Sequence, residues 1–205
     1  MHTCIALATR NAGKIRELGV LLRPFGVEVK GLESFPAIGE IEETGTTFAE
    51  NALIKAATVS RLTNLVAVAD DSGLVVDALG GKPGVYSARF SEEPGKPATD
   101  ARNTEKVLRM AAHVPDAQRS IRFISVMAAA APNGEHIVAE GAWEGLLAKA
   151  PRGLNGFGYD PVFFDPELGI TAAEMSPEQK NVHSHRARAC RELLRLWPAF
   201  WEQNR

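Results

Sequence analysis

The chain of 205 residues has 45% hydrophobic and 23% charged residues, which is typical of a globular protein with one core or two lobes. Its formal net charge of −2 argues against sequence-independent binding to a nucleic-acid backbone, which needs a basic face. No stretch approaches the roughly 20 apolar residues of a membrane-spanning helix. Cys4 and Cys190 are far apart and form no CxxC pair, so we expect reduced thiols and a cytoplasmic protein that binds neither membranes nor nucleic acid.

The first half of the chain alternates between strand and helix patterns. Thr47 and Glu50 fit a capping box at the start of a helix. Asp70 and Asp71 follow an apolar run, and we expect the strand to end there in a turn at 72–73. The predicted elements are a strand at 4–8, a turn at 9–14, a helix at 15–23 that residues 24–26 end, a strand at 27–32, an acidic loop at 33–46, a helix at 46–62 and a strand at 65–69.

The second half predicts a hairpin followed by a final helix. The Asn133-Gly134 pair is typical of a type I′ turn, in which both central residues have positive φ. Ser176, Pro177 and Gln179 have the pattern of a helix start, and Pro198 is expected to limit that helix. The predicted elements are loops at 80–90 and 91–100, a helix at about 100–112, strands at 120–131 and 136–148, a glycine-rich loop at 151–164 and a helix from 176 to about 197. This order favours an α/β fold with a mixed sheet.

The first candidate motif is the turn ATRNAGK at residues 8–14, between a strand and a helix. A helix N-terminus suits phosphate, and Lys14 adds a full positive charge. The motif is not a P-loop, because Ala8 and Ile15 stand where glycine and Ser or Thr would be needed. On this stretch alone, a plain turn with a solvated lysine is the simpler interpretation.

Four carboxylates form the second candidate, namely Glu42, Glu43, Asp70 and Asp71. Mg²⁺ prefers oxygen ligands and is usually held by one or two carboxylates together with substrate phosphates. A carboxylate beside such an ion could orient or deprotonate water. The alternatives are a solvated acidic loop for the two glutamates and a turn for the two aspartates.

Two further motifs could contact a nucleotide. Asn51 and Lys55 share one helix face, where Lys55 could point at phosphate, although a surface lysine is commoner. In GFGYDP, residues 156–161, glycines flank Phe157. The Phe157 ring could stack on a nucleobase, and Asp160 could accept a hydrogen bond from a ring N–H of that base. Phe157 and Tyr159 could instead pack into the core.

The last motif is the basic stretch at 180–189. Lys180 and Arg186 could bind phosphate or a carbonyl oxygen, or the stretch could form a basic surface helix. His183 and His185 would face different ways on a continuous helix, which argues against a shared metal. The donor residues are Lys180, His183, His185, Arg186 and Arg188.

Together these motifs supply phosphate donors, carboxylates for a cation and an aromatic platform, a set that matches a Mg²⁺–nucleoside triphosphate. The chain resembles the inosine triphosphate pyrophosphatase family from about residue 5 to residue 196. The resemblance lies in five ordered motifs, which are TRNAGK, EETGTTFAENALIKA, ADDSGLVVDALGGKPGVYSARF, GFGYDPVFF and AAEMSPEQKNVHSHRARA.

The resemblance implies hydrolysis of ITP, dITP and XTP to the nucleoside monophosphate and pyrophosphate, which cleanses the nucleotide pool. It also implies Mg²⁺ as cofactor, a homodimer, and a single pyrophosphatase domain over residues 1–205. The implied fold is an elongated mixed sheet with flanking helices, and two lobes around a central nucleotide-binding cleft.

The resemblance also implies roles for individual residues. Asp71 matches the proposed proton acceptor, which Asp70 supports, and Glu43 and Asp71 match the metal-associated carboxylates. Matching residues in the triphosphate loop are Thr9, Arg10, Asn11, Ala12, Gly13 and Lys14, with Lys55 nearby. Matching substrate contacts are Ser72, the base-stacking residues Phe157, Gly158, Tyr159 and Asp160, and, near the base and phosphates, Lys180, His185 and Arg186.

Two residues depart from the family pattern. Arg10 stands where the family often has glycine, and His183 stands where a small apolar residue is usual. Donors from His185 and Arg186 would favour bases with a 6-oxo group over adenine. The exclusion of guanine is not explained by the sequence. Other functions that fit the same motifs are a pyrophosphatase for pyrimidine or modified nucleotides, a nucleotide sensor without turnover, and a phosphatase that releases orthophosphate.

Overall fold

The computed structural model of the chain describes residues 4–22 and 26–204. The chain divides into two compact units. Unit 1 comprises Met1–Asp71, Ser125–Gly141 and Arg186–Arg205, and unit 2 comprises Ser72–Ile124 and Ala142–His185. The expected α/β fold with a mixed sheet is confirmed: seven strands form one sheet in the order β2-β1-β3-β4-β5-β6-β7. No helix in the described part of the chain is long and apolar enough to cross a membrane.

Parallel and antiparallel pairs both occur in the sheet. β1 pairs in parallel with β2 and β3, whereas β6 is antiparallel to β5 and β7. The strands are β1 (Cys4–Leu7), β2 (Glu28–Gly31), β3 (Ala67–Val76), β4 (Ser120–Ala130), β5 (His136–Leu147), β6 (Phe163–Asp165) and β7 (Ile170–Thr171). The helices are α1 (Ala12–Leu22), α2 (Phe48–Thr63), α3 (Asp100–Met110), α4 (Pro177–His183) and α5 (His185–Asn204).

The starts of α1, α2 and α4 each have a local chemical cause. The predicted capping boxes are present, with Thr47 and Glu50 at α2 and with Ser176 and Gln179 at α4. α1 starts three residues earlier than predicted because the Asn11 side chain accepts hydrogen bonds from the N–H groups of Gly13 and Lys14. The predicted stop of α1 at residues 24–26 falls largely outside the described residues.

Each unit has its own apolar core. In unit 1, β1 and β4 pack against α5, which buries Leu193, Trp197 and Phe200. In unit 2, the core gathers residues of β3, α3, β4, β5 and β6 around Trp143 and Phe163. The Trp143 indole N–H donates to Asp165 Oδ2 at 2.9 Å, so its one polar atom is satisfied inside the core.

The predicted end of β3 at the two aspartates is wrong, because the strand runs through both of them to Val76. Asp, Ser and Gly favour turns when local preferences decide. Here tertiary partners neutralise the carboxylates, and the apolar residues Leu74 and Val76 that follow are buried in the core of unit 2. The pattern DDSG is therefore part of a strand and not a turn.

The hairpin between β4 and β5 exists, but its turn is not the predicted type I′. Gly134 has a φ of +93°, whereas Asn133 does not have positive φ. The Gly134 N–H donates to Ala131 O, and the Ala131 N–H donates to Glu135 O. The turn therefore centres on Pro132 and Asn133, with Gly134 as the left-handed residue that follows, since proline fixes a negative φ.

The final helix differs from its prediction in two ways. Ser184 has extended backbone angles and separates α4 from α5. Pro198 lies inside α5, which continues to Asn204. Proline removes one helical hydrogen bond, but Trp197 and Phe200 on either side of it are buried in the unit 1 core and hold the last turns in place.

Candidate active site

Asp70 is buried in unit 1 among groups that stabilise its charge. Lys14 Nζ lies 2.9 Å from its Oδ2, Arg186 Nε lies 3.2 Å from the same oxygen, and Ser125 Oγ donates to its Oδ1 at 2.5 Å. Burial by itself opposes ionisation, but Lys14, Arg186 and Ser125 outweigh it and hold the pKa of Asp70 far below its ordinary value. Asp70 is therefore a fixed negative charge with bound counter-charges.

Asp71, the next residue, has different surroundings. Successive side chains of a strand point to opposite faces, so the two carboxylates do not face each other. Lys55 Nζ donates to Asp71 Oδ1 at 2.7 Å and to Glu43 Oε1 at 2.9 Å. Burial raises the pKa of Asp71 and outweighs the opposing effect of Lys55. The two neighbouring aspartates thus have pKa values shifted in opposite directions.

Lys55 contacts both carboxylates of the second cluster, which consists of Asp71 and Glu43. Burial alone would lower the pKa of this lysine, but Asp71 and Glu43 outweigh burial and raise it. Its Nζ also donates to the backbone oxygen of Asp70 at 3.2 Å, as does Lys14 Nζ. Lys14 and Lys55 are therefore both brought to the strand that carries the two aspartates.

The residues around Asp71 fit a divalent cation. Asp71 Oδ2 is buried and has no hydrogen-bond partner among the described residues, so one acceptor oxygen is available there. No group of three or more His, Cys, Asp or Glu residues that could hold a metal occurs in residues 4–22 and 26–204. Mg²⁺ does not require such a cage, because one or two carboxylates suffice when substrate phosphates complete the coordination. Glu42, the fourth carboxylate considered, is exposed.

The turn before α1 orders its own polar groups. Thr9 Oγ1 accepts from the Asn11 N–H at 3.1 Å, and Asn11 Oδ1 accepts from the N–H groups of Gly13 and Lys14 at 2.8 and 3.1 Å. The backbone N–H groups of Gly13 and Lys14, which an uncapped helix would offer to phosphate, are therefore already hydrogen-bonded within the turn. The ammonium group of Lys14 is the charged donor that the turn supplies, and Ala12 begins the helix.

Arg10 occupies its position without backbone strain. Asn64 is the one described residue other than glycine with positive φ, so the turn does not need glycine at Arg10. Its guanidinium donates to the backbone oxygen of Ile38 in the acidic loop. The second departure, His183, is the last residue of α4, immediately before the break at Ser184.

A second polar cluster lies in unit 2, around Asp160. Lys180 Nζ lies 2.5 Å from Asp160 Oδ2 and 4.8 Å from the centre of the Phe157 ring, and the Phe157 N–H donates to Asp160 Oδ2 at 2.9 Å. Gly156 has a φ of +79°, and a Cβ there would lie 2.0 Å from Asp160 Oδ2. This glycine is therefore required by both backbone conformation and space. The half-buried Phe157 ring is held by a cation on one side.

Tyr159 and Gly158 anchor the same loop. The buried Tyr159 hydroxyl donates to Ser87 O at 2.7 Å, and burial raises the pKa of that hydroxyl. The Gly158 N–H donates to Asp100 Oδ2 at 2.7 Å. The alternative that Tyr159 packs into the core is thus correct, whereas Phe157 remains partly accessible.

The remaining predicted residues have distinct settings. The His185 ring is buried in unit 2 and stacks on Phe123, with ring centres 4.7 Å apart. Arg186 belongs to unit 1, where it pairs with Asp70. Ser72 is half-buried in β3, directly after Asp71. The predicted residues therefore form two sets: Glu43, Lys14, Lys55, Asp70, Asp71 and Arg186 in unit 1, and Phe157, Asp160 and Lys180 in unit 2.

Three contributors were missed by the sequence analysis. Ser125 donates a hydrogen bond to Asp70, the Phe123 ring stacks on the His185 ring, and Asp100 accepts a hydrogen bond from the Gly158 N–H. A serine or phenylalanine within an apolar strand has no local pattern that signals such a role. Asp100 opens α3, where an acidic residue is expected for helix stability alone.

Comparisons with known proteins give one consistent result. A model of the Ham1 family matches residues 5–196. The chain is 58% identical over 200 residues to a dITP/XTP pyrophosphatase of Nitratidesulfovibrio vulgaris, covering 96% of this chain and 97% of that one. It is 52% identical over 193 residues to a dITP/XTP pyrophosphatase of Geobacillus kaustophilus, covering 94% and 93%. A solved structure of a HAM1 protein from Coxiella burnetii superposes with a TM-score of 0.86 at 42% identity, covering 95% of this chain and 98% of that one.

Proposed function

The chain belongs to the Ham1 family, and from this premise we propose that it hydrolyses purine nucleoside triphosphates with non-standard bases. The substrates are ITP, dITP and XTP, and the products are the nucleoside monophosphate and pyrophosphate. The names of the two close relatives, dITP/XTP pyrophosphatases, support this substrate class. The observation that carries the proposal is the buried Oδ2 of Asp71, which lies beside Lys55 and Glu43 and has no hydrogen-bond partner in the described part of the chain.

The reaction needs a water molecule to attack the α-phosphorus while the bond to the bridging oxygen of the β-phosphate breaks. Asp71 Oδ2 accepts the proton that the water loses, because this oxygen has no competing donor among the described residues. A pKa raised by burial suits Asp71 to the role of proton acceptor. Lys55, at 2.7 Å from Oδ1, holds the carboxylate in place. Pyrophosphate then leaves.

The charge balance of the unit 1 cluster supports Mg²⁺ as the cofactor. Lys14, Lys55 and Arg186 are paired with Asp70, Asp71 and Glu43, three positive groups against three negative ones. This set has no formal surplus of positive charge to offset a triphosphate. Glu43 and Asp71 are the carboxylates proposed to lie beside the ion. Because Lys55 holds Asp71 Oδ1 and Oδ2 takes the proton of the attacking water, Glu43 would be the direct ligand. When bound, the ion would supply positive charge to the phosphate oxygens.

The base is proposed to stack on Phe157 of unit 2. Lys180 lies over this ring, and Asp160 holds the backbone N–H of Phe157. Recognition of the 6-oxo group by His185 and Arg186 stays a prediction. The pairing of Arg186 with Asp70 indicates that this residue also has an electrostatic role.

Assembly and location complete the proposal. A homodimer is proposed from the family resemblance, and a single pyrophosphatase domain over residues 1–205 is proposed likewise. A cytoplasmic location is supported by the two free cysteines, Cys4 and Cys190.

The decisive experiment is a product assay with purified protein. Separate reactions contain dITP, XTP, dATP, dGTP or dTTP with Mg²⁺, and matched reactions contain a chelator. Both pyrophosphate and orthophosphate are quantified. We expect pyrophosphate from dITP and XTP, little from the other nucleotides, and none with the chelator.

Each other outcome identifies a different function. Orthophosphate as the first product would indicate a phosphatase, and turnover of dTTP would indicate a pyrimidine or broader pyrophosphatase. Binding of dITP without turnover would indicate a sensor. Equal turnover of dATP and dITP would contradict recognition of the 6-oxo group.

A further inference from the structure

We propose that Asn51 is a positioning residue for Glu43, because its side chain anchors the segment bearing this carboxylate to α2, one helical turn before Lys55. The contact lies wholly in unit 1. The inference deepens the proposed function, and its kinetic test rests on that function.

The anchor is a hydrogen bond from the loop backbone. The Gly45 N–H donates to Asn51 Oδ1 at 2.8 Å. A Cβ at Gly45 would lie 2.6 Å from Glu50 Cβ and 2.7 Å from Asn51 Oδ1, so the loop approaches α2 as closely as only glycine allows. The next N–H groups, of Thr46 and Thr47, donate to Glu50 Oε2 at 2.6 and 3.1 Å. Three successive backbone donors are therefore held by two side chains of the first turn of α2.

This anchor lies next to the carboxylate cluster along the chain. Glu43 precedes Gly45 by two residues, and Lys55 follows Asn51 by four, which places Asn51 and Lys55 on one face of α2. Lys55 Nζ lies 2.9 Å from Glu43 Oε1 and 2.7 Å from Asp71 Oδ1. The segment from Glu43 to Gly45 is thus tied to the same helix twice, through the Glu43 carboxylate and through the Gly45 backbone.

Asn51 also has a feature that a purely structural residue would not need. Its side chain is fully buried, and its Nδ2 has no hydrogen-bond partner in the part of the chain that the structure describes. A buried donor without a partner lowers stability, so packing alone would be served better by an apolar side chain. The oxygen that it offers to Gly45 is what an apolar side chain could not provide.

The kinetic test compares Asn51→Ala, Glu43→Gln and the double variant in the dITP assay, with Ser60→Ala as matched control. Ser60 is buried on the same helix and bonds to Leu65 O at 2.7 Å, away from the carboxylates. We expect Asn51→Ala to lower kcat/KM about tenfold or more and Ser60→Ala to leave it within about twofold. In the Glu43→Gln background, Asn51→Ala should lower kcat/KM by less than about twofold, because both changes act through one carboxylate. Losses that multiply in the double variant would overturn the proposal.

A second test needs no turnover. Amide hydrogen exchange of the peptide covering residues 43–47 should speed up in Asn51→Ala and stay unchanged in Ser60→Ala. Asn51→Asp keeps an acceptor for the Gly45 N–H and should keep the slow exchange. Unchanged exchange in Asn51→Ala, or fast exchange in Asn51→Asp, would overturn the proposal. If the wild-type protein releases no pyrophosphate from any substrate, the proposed function fails while this exchange test still decides the role of Asn51.

Discussion

A carboxylate that is buried without a counter-charge would either become protonated or destabilise the folded protein. Asp70 shows how this chain avoids both outcomes. Lys14, Arg186 and Ser125 all contact it, although they are distant from it in the sequence. Asp71 has fewer partners and keeps one oxygen without a hydrogen bond from the described residues. Two adjacent residues of the same type therefore have different properties, one as a structural charge and one as a candidate proton acceptor.

The role of Asp71 can be tested by Asp71→Asn, which preserves shape and removes the proton-accepting carboxylate. We expect kcat for dITP to fall about 100-fold or more, because a positioned base contributes factors of this size. The circular dichroism spectrum should stay that of the wild type, since Lys55 keeps Glu43 as a partner. Activity near that of the wild type would exclude Asp71 as the base.

Asp70 has a different expected effect, on stability. Asp70→Asn leaves Lys14 and Arg186 beside a neutral group in a buried site, so the free energy of unfolding should fall by about 3 kcal/mol or more. Asp77→Asn is the control, because Asp77 pairs with Arg122 at the surface and its loss should cost at most about 1 kcal/mol. Urea unfolding measures both. If Asp70→Asn and Asp77→Asn lowered the free energy of unfolding by the same small amount, the ion pairs of Asp70 would not stabilise the fold.

The loss of stability in Asp70→Asn should depend on pH. The pKa of Asp70 is lowered in the folded state, so its contribution to stability is complete above the unfolded pKa of about 3.9 and is lost as the pH falls towards the folded pKa. The difference in unfolding free energy between wild type and Asp70→Asn should therefore shrink from pH 5 to about pH 3. A difference that stays constant would contradict the lowered pKa.

At the scale of elements, α5 tolerates a residue that normally ends a helix. Pro198 is exposed, whereas its neighbours Trp197 and Phe200 are buried in the unit 1 core. Packing of these aromatic residues offsets the missing hydrogen bond. The predicted end of the helix at Pro198 is therefore wrong, because α5 continues to Asn204.

Pro198→Ala should therefore stabilise the protein, by about 1 to 3 kcal/mol, because it restores a helical donor at an exposed position. Urea unfolding followed by circular dichroism measures the change. Ala199→Gly, at the exposed next position, is the control and should destabilise by about 1 kcal/mol. Destabilisation by Pro198→Ala would mean that the proline ring itself has a stabilising contact.

At the scale of the whole molecule, the boundary between the two units cuts β3, β4 and β5 within the strands. The chain also passes between the units at His185 and Arg186, within α5. A boundary inside a continuous strand or helix is not a flexible linker of the kind that separates domains. The single domain over residues 1–205 stays a prediction.

We therefore expect one cooperative unfolding transition. A Trp143→Phe variant reports unit 1 through Trp197 and Trp201, and a double Trp197→Phe, Trp201→Phe variant reports unit 2 through Trp143. After correction for the stability of each variant, fluorescence and circular dichroism should give coincident urea transitions. Transitions that separate between the probes would show two domains instead of one.

The sequence by itself determined the fold class, the family, most element positions and both predicted capping boxes, because hydrophobic spacing and capping chemistry are local. Only the tertiary structure decided that β3 continues through Asp70 and Asp71, that α5 passes Pro198, and that Ser125 and Asn51 support the carboxylates. For β3, α5 and Ser125 the deciding free energy comes from residues far away in the chain, whereas the Asn51 contact to Gly45 is local but depends on a close approach of loop and helix that no sequence pattern signals. A charge that would end a strand in isolation is accepted within one when distant lysine and arginine side chains neutralise it.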